Sequence, residues 1–387
     1  MKKLKILFRK ILRFIYFFLF YILENFVLTF LKLLKINKQK KYYKNIFIKI
    51  EGIGDWMYFQ PIFLNLIKNI GEEYETNLII LSKKLKPFVK CYESNFEFYF
   101  FDVDKISSLN FFYIIRCILD FNKLRTYRLL NLNFWSKYNW CDFPMRIISS
   151  TNRISFDCYY DLYPKYFLQS KFENNHIKYY FKDDKSKSLE KYSLPLINLL
   201  EYQSLKLKEI FPKLEKINFS NLISCQKVEK SNNRTIALFP FASTLSKSLN
   251  PILLKNLLSL LDSYGFEILV FGSKADSLKF KKIESMSLSN RVKLLYGKVA
   301  LNNIYEVLNK CSLILTVDSF VSHLMLSNKF SPPLLIVNIK NNFSDIQKFF
   351  IIKHSLVNYV EIDNKFGFSC KKDIDTIVNS FFSRLNY

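Results

Sequence analysis

Glycine is the residue that this 387-residue sequence most clearly lacks. It has seven glycines, whereas average usage is about 7% of residues. Two of the seven, Gly52 and Gly54, fall within one short stretch. Such scarcity indicates that each glycine marks backbone where a side chain is not tolerated.

The cysteines lack any paired spacing. There are seven, an odd number, and none forms a Cys-x-x-Cys pair. This argues against a disulfide framework or a zinc site and favours a reducing compartment. Alanine is absent before Ala237, so no Ala-x-Ala cleavage site follows the N-terminal apolar region, and a cleaved signal peptide is disfavoured.

Acidic residues are also few: 33 Asp and Glu stand against 58 Lys and Arg, giving a net charge of +25. A charge of this size suits a polyanionic partner. The lysines are scattered and no recognisable nucleic-acid motif accompanies them, so nucleic acid is an unfavoured partner. An anionic membrane surface or a phosphorylated substrate fits the charge better.

The first 43 residues form a basic and apolar segment. Residues 1–13 have a basic amphipathic helical pattern, and 21 mostly apolar residues follow at positions 14–34, interrupted by Glu24, Asn25 and Lys32. A helix of that length reaches across a hydrocarbon core of about 30 Å. However, six basic residues precede the apolar stretch and six lysines lie at positions 32–44, so a span would have to translocate one of the two clusters.

The segment 1–43 is therefore predicted to associate with the membrane as an in-plane or re-entrant anchor, in preference to a span. A helix docked on the protein's own core is the alternative. The expected location is the cytoplasmic face of an inner membrane, peripheral or anchored by residues 1–34.

Residues 44–215 alternate short apolar runs with helical patterns, which predicts a parallel α/β sheet. Expected strands include residues 46–50, and expected helices include 61–70 and 109–121. The stretch 46–61 stands out: a strand leads through Gly52 and Gly54 to Asp55 at a helix start. Such a turn lets a ligand approach backbone N–H groups.

One alternative site lies in the same domain. Asp102 and Asp104 form an Asp-x-Asp after a strand, a pattern that holds the metal in one class of sugar transferases. Solvated acids at a strand end are the favoured interpretation.

Residues 216–233 are predicted to be a linker, and residues 234–387 a second doubly wound domain with strands near 235–240, 266–272, 291–297, 312–317 and 334–339. Two such domains predict a cleft between two sets of strand carboxyl ends.

Three polar segments follow strands of this second domain. The hydroxyl-rich loop 239–251 carries Ser243, Thr244, Ser246 and Lys247 and leads into a helix, an arrangement that suits a diphosphate. The stretch 271–276, with Gly272 and Asp276, resembles a ribose or base contact. The third is 316–325, where a strand ends at Asp318 and Ser319 and His323 follows; a structural role for these residues, a capped loop or a core histidine, is the alternative.

The order of these motifs resembles glycosyltransferase family 9, the family of the lipopolysaccharide heptosyltransferases. The resemblance runs from Gly-x-Gly-Asp at 52–55, through the loop with Lys247 and the turn at Gly272, to Asp-Ser-x-x-x-His at 318–323. It departs from the family pattern at Phe320, where glycine is usual.

The resemblance implies a GT-B fold with two Rossmann-like domains, the donor site on the second and the acceptor site on the first. Asp55 resembles the catalytic base, and Gly52 and Gly54 belong to the acceptor-side loop. The donor residues are expected to be Ser243, Thr244, Ser246, Lys247, Gly272, Asp276, Asp318, Ser319 and His323.

The expected activity is an inverting transfer from a nucleoside-diphosphate sugar, with ADP-heptose as one candidate, to a lipid-linked or lipid A-core saccharide. The resemblance implies neither a metal nor another cofactor. The alternative is an inactive glycan- or sugar-nucleotide-binding membrane protein of the same fold.

Overall fold

The computed structural model separates into two compact units. The first comprises Met1–Gly52, Ile62–Asp184 and Tyr202–Lys216, and the second Ile53–Pro61, Lys185–Glu201 and Ile217–Tyr387. The structure describes residues 22–30, 40–50, 52–70, 76–89, 96–108, 110–133, 139–158, 176–181, 196–217, 219, 234–242, 247–285, 288–300, 303–326, 332–339, 357–362 and 369–385. Most of the predicted linker 216–233 lies outside these residues.

The first unit is built on a parallel sheet of six strands in the order β3-β2-β1-β4-β5-β6. The order reverses direction between β1 and β4, which defines a topological switch point. The strands are β1 (Lys41–Lys49), β2 (Asn77–Ser82), β3 (Phe96–Phe101), β4 (Leu124–Asn131), β5 (Ser149–Cys158) and β6 (His176–Phe181).

The pairing register of neighbouring strands places apolar side chains next to one another on this sheet. Ile46 of β1 lies opposite Leu78 of β2 and Leu129 of β4, and all three are buried. The helices of this unit are α1 (22–30), α3 (Lys86–Val89), α4 (Val103–Ser107), α5 (Phe111–Asn122) and α6 (Asn139–Ile147). Two further helices, α2 (Ile53–Ile70) and α7 (Leu196–Ile210), belong to it only from residues 62 and 202 onwards, because their first residues are part of the second unit.

The second unit repeats the topology. Its six parallel strands have the order β12-β11-β10-β7-β8-β9, so its switch point lies between β7 and β10. The strands are β7 (Thr235–Phe239), β8 (Glu267–Val270), β9 (Val292–Leu294), β10 (Leu313–Val317), β11 (Leu334–Ile339) and β12 (Val357–Ile362). The helices are α8 (Pro251–Ser263), α9 (Ser277–Glu284), α10 (Ile304–Leu308), α11 (Phe320–Leu326) and α12 (Ser369–Leu385).

The predicted α/β alternation with parallel sheets is confirmed, and the helical pattern at 61–70 is the later part of a longer helix. α2 begins at Ile53, so Gly54 lies in its first turn and Pro61 is inside the helix. Asp55 lies in the first turn of α2, as expected.

The described part of the N-terminal segment does not support a membrane helix. Residues 22–30 dock on the first unit: Val27 is buried in its core cluster, with Leu23 and Leu28 packed against it. The Glu24 carboxylate, also buried, is held by the Arg146 guanidinium at 2.8 Å. For these residues the structure matches the alternative of a helix docked on the core; residues 1–21 and 31–39 lie outside the description.

Among the helices that the structure describes, none is both long enough and apolar enough to cross a membrane. Cys117 and Cys311, the two cysteines described in side-chain detail, are free and buried. Burial raises the pKa of each thiol to about 11, so both behave as small apolar residues at neutral pH.

Candidate active site

The switch point of the second sheet carries an ion pair. β7 and β10 are parallel neighbours; Lys247 lies in the loop after β7, and Asp318 directly follows β10. The Lys247 ammonium nitrogen lies 2.6 Å from Oδ2 of Asp318, and the two side chains are 33% and 11% exposed. Ligands of open α/β sheets bind outside the carboxyl ends of the strands at this position.

The loop that carries Lys247 is held by its own hydrogen bonds. The Ala242 N–H donates to the Ser248 hydroxyl at 3.0 Å, and the Leu249 N–H donates to the Pro240 carbonyl at 2.9 Å. Asn250 then caps α8, its side chain accepting from the Leu253 N–H at 2.8 Å. Lys247 therefore lies three residues before the positive end of a thirteen-residue helix dipole. Ser243, Thr244 and Ser246 lie outside the described residues.

Ser319 ties the end of β10 to α11. Its hydroxyl lies 3.0 Å from the Thr316 hydroxyl, and its carbonyl accepts from Ser322 Oγ at 2.6 Å. These contacts hold the turn in which Asp318 stands. A role for Ser319 in donor binding stays a prediction.

His323 faces the second oxygen of Asp318. Its Nε2 lies 3.9 Å from Asp318 Oδ1, which is too long for a hydrogen bond. Burial lowers the pKa of His323 to about 4; the Asp318 carboxylate opposes that shift and the Lys247 ammonium adds to it. The imidazole is therefore neutral at pH 7, and the charged partner of Asp318 is Lys247.

The beginning of α2 lies in the same compact unit as these residues, since that unit includes Ile53–Pro61 and Ile217–Tyr387. The Tyr58 ring meets the His323 ring edge-to-face, with centroids 5.7 Å apart. Burial raises the pKa of Tyr58 well above its usual range, and the charges of Asp55 and Asp318 act in the same direction. The structure thus brings Asp55, Asp318 and His323 near Tyr58, and Lys247 joins them through its ion pair with Asp318.

Tyr58 and Tyr359 are two residues of this cluster that the sequence analysis missed. Burial raises the pKa of Tyr359 to about 12, and the Asp318 carboxylate adds to the shift. Tyr58 follows Asp55 by three residues, a spacing that puts two side chains on one helix face, so its position was available from the sequence. Tyr359 stands on β12 and has no comparable sequence signal.

Gly272 and Asp276 shape the neighbouring loop after β8. A side chain on Gly272 would place its Cβ 2.3 Å from Cε2 of Phe280, so it would force this fully buried ring to shift. Asp276 accepts from the Ser273 N–H and hydroxyl and from the Lys279 ammonium. Burial alone would raise the pKa of Asp276, yet these bonds hold it below its usual value. Their part in donor binding stays a prediction.

Asp102 and Asp104 have structural partners. Asp102 caps α4 by accepting from the Lys105 N–H, and the ammonium groups of Lys83 and Lys84 pair with Asp102 and Asp104 at 3.3 and 2.9 Å. Within the described part of the chain, no cluster of three or more His, Cys, Asp or Glu side chains is arranged to hold a metal.

The fold resembles that of known glycosyltransferases. Two solved structures match over nearly their whole length. The glycosyl transferase family 9 protein from Veillonella parvula has 15% identity and a TM-score of 0.54, covering 90% of this chain and 99% of its own. The E. coli heptosyltransferase WaaC with ADP has 11% identity and a TM-score of 0.55, covering 88% and 99%.

At these identities the structural matches establish the fold alone, that of two Rossmann-like units. The family model described as glycosyltransferase family 9 (heptosyltransferase) matches residues 186–328. This confirms the predicted resemblance over those residues, which are fewer than half of the chain, and supports a heptosyltransferase-like glycosyltransferase activity. No protein of curated function matches the sequence significantly.

The segment matched by the family model contains Lys247, Asp318 and His323 but not Asp55. The assignment of Asp55 therefore depends on its place in the first turn of α2 and on its closeness to Tyr58.

Proposed function

We propose that the protein transfers a glycosyl group, with inversion, from a nucleoside-diphosphate sugar to a hydroxyl of a lipid-linked or lipopolysaccharide-core saccharide. The observation that carries this proposal is the Lys247–Asp318 ion pair at the switch point of the second sheet. In this pair the partly exposed Lys247 ammonium is held in place by Asp318, close to the amino end of α8.

Lys247 and the amino end of α8 act on the donor diphosphate. As the bond between the anomeric carbon and the phosphate oxygen breaks, negative charge accumulates on the leaving diphosphate. A fixed ammonium and a helix dipole stabilise that charge without reorganisation, often the largest single contribution to catalysis. This electrostatic set favours a reaction without a metal ion.

Asp318 orients Lys247 while the donor is absent. Its carboxylate is mostly buried, whereas Lys247 is one-third exposed, so the lysine is the partner able to reach a ligand. His323, neutral at pH 7, fills the other side of the carboxylate without competing for its charge.

Asp55 is the general base of the proposed reaction. The acceptor hydroxyl gives its proton to the Asp55 carboxylate while its oxygen bonds to the anomeric carbon from the face opposite the departing diphosphate. Asp55 lies in the first turn of α2, where its carboxylate is next to the positive end of the helix dipole.

The donor proposed for the first tests is ADP-heptose. Solved structures of E. coli WaaC contain ADP and ADP-2-deoxy-2-fluoro heptose, and that second structure matches this chain with a TM-score of 0.55 at 12% identity. The place of action is proposed to be the cytoplasmic face of a membrane, where a lipid-linked acceptor meets a protein of net charge +25.

The deciding experiment compares the Asp55→Asn variant with the wild-type protein. Transfer should fall by a factor of about 10²–10⁴, the usual contribution of a general base, while the Kd for ADP stays the same. Turnover is measured as ADP release with a core-saccharide acceptor, and inversion by NMR of the product's anomeric proton.

Asp104→Asn serves as the matched control, because Asp104 is a surface acid paired with Lys84. It should keep full activity. Unchanged turnover in Asp55→Asn would exclude Asp55 as the base, and absence of ADP binding in the wild-type protein would contradict the donor assignment.

A further inference from the structure

Helix α1 presents two opposite faces. One face is buried against the first unit through Val27 and Glu24. The other exposes Ile22, Phe26 and Phe30, with 47%, 67% and 51% of their surfaces accessible. The spacing of four residues aligns these side chains into one stripe, and the Phe26 and Phe30 rings stack with centroids 6.3 Å apart.

The Glu24–Arg146 pair fixes which face points outward. Two guanidinium nitrogens of Arg146 bond to the Glu24 carboxylate at 2.8–3.1 Å, and both side chains are at most 12% exposed. A bidentate pair of this kind is geometrically specific, so the helix cannot rotate its stripe inward without breaking it.

Helix α5 also exposes an aromatic side chain. α5 packs on the same core cluster as α1 and exposes Phe112 at 84%. Arg116, one turn further along α5, has a side chain that is 79% exposed. Its guanidinium lies 3.7 Å from the Asp120 carboxylate on the same helix.

The basic residues that flank α1 in the sequence favour one kind of partner. Six basic residues lie within positions 1–13 and six lysines within 32–44, flanking α1 on both sides in the sequence. A second copy of the chain would bring the same positive charge to the contact and be repelled, whereas an anionic lipid surface is attracted.

We infer that the stripe formed by Ile22, Phe26 and Phe30 inserts into the headgroup region of an anionic membrane while α1 stays docked on the protein. The helix lies in the plane of the interface, with its apolar side chains entering the lipid, while the basic residues that flank it in the sequence are attracted to lipid phosphates or carboxylates. The inference concerns membrane contact alone and does not depend on the proposed glycosyl transfer.

The test is co-sedimentation of the full-length protein with two kinds of vesicle. One contains phosphatidylcholine alone, and the other also contains about 30% of the anionic lipid phosphatidylglycerol. The wild-type protein should bind the anionic vesicles and bind phosphatidylcholine alone far more weakly. The double variant Phe26→Gln/Phe30→Gln should lose about a hundredfold in affinity, since each inserted phenylalanine contributes about tenfold.

The control is Leu278→Gln, which changes an equally exposed residue of the second unit (73% accessible) and should leave vesicle binding unchanged. ADP affinity and the unfolding midpoint check that the variants fold. A second measurement needs no variant: a diazirine-labelled phospholipid should crosslink wild-type peptides that contain Phe26 and Phe30.

Unchanged binding of the double variant, equal binding to both kinds of vesicle, or no crosslink at α1 would each overturn the inference. It would also be overturned if light scattering shows a wild-type dimer that the double variant turns into a monomer, because the stripe would then be a contact between copies.

Discussion

Asp318 illustrates how one residue acquires its role from its neighbours. One carboxylate oxygen pairs with Lys247 at 2.6 Å, and the other faces His323 at 3.9 Å. The sequence placed all three residues after strands of one sheet, but their mutual distances come from the switch point between β7 and β10. For these three residues, the order of motifs in the sequence predicts that they lie close together. Only the folded structure determines that Asp318 pairs with Lys247 and not with His323.

His323 leads to a pH prediction at the residue scale. Its folded pKa of about 4 lies below the ordinary value of 6.5, so between these values the unfolded chain binds the proton more strongly. The contribution of neutral His323 to the free energy of unfolding is therefore fully present above about pH 6.5, and it is lost as the pH drops towards 4. The loss attributable to His323 should be about 2–3 kcal/mol.

Urea unfolding at pH 7 and pH 4.5 measures this loss, with His323→Gln as the comparison because glutamine does not titrate. The variant should lose less stability on acidification than the wild-type protein. Equal losses in the two proteins would show that His323 is not a neutral buried histidine.

At the scale of elements, α1 was the segment most open to two interpretations. Its apolar sequence equally suits a lipid environment and a protein core, since both are non-aqueous. What distinguishes them is Arg146, which lies 122 residues away in sequence and pairs with Glu24. No local sequence pattern identifies such a distant partner. The sequence alone therefore could not decide whether α1 is a membrane anchor or a helix docked on the protein.

The Glu24–Arg146 pair gives a stability prediction. Arg146→Met leaves a buried carboxylate without its cation and should cost about 3–5 kcal/mol, whereas the double change Glu24→Gln/Arg146→Met should recover a large part of that loss. Urea unfolding of the single and double variants measures both.

The exposed pair of Lys68 and Glu215, with side chains 68% and 63% accessible, provides the control. Glu215→Gln should change stability by less than about 1 kcal/mol. If Arg146→Met were equally mild, α1 would not depend on this pair for its docking.

At the scale of the whole molecule, two sheets of the same strand order occur in one chain, each with its own switch point. The residues assigned to the donor after β7, β8 and β10 lie in the second unit. Nucleotide binding should therefore act directly on that unit.

ADP added at about 100 times its Kd should stabilise the protein by about 2.7 kcal/mol. In hydrogen exchange, the new protection should concentrate on peptides covering the loop with Lys247 and the turn from Asp318 to His323. Lys247→Met should abolish most of the stabilisation, because the ammonium that meets the diphosphate is gone. If the new protection were centred on β1 to β6 instead, the nucleotide would bind the first unit, and the prediction would be wrong.

The sequence by itself determined the alternation of strands and helices, the parallel α/β class and the resemblance to family 9. Each of these depends on local periodicity and on the order of motifs along the chain. The tertiary structure alone decided that α1 docks through Glu24, that Tyr58 and Tyr359 join the site, and that Asp318 bonds Lys247 while His323 stays neutral. These outcomes depend on burial and on distances between residues far apart in sequence, which periodicity does not encode.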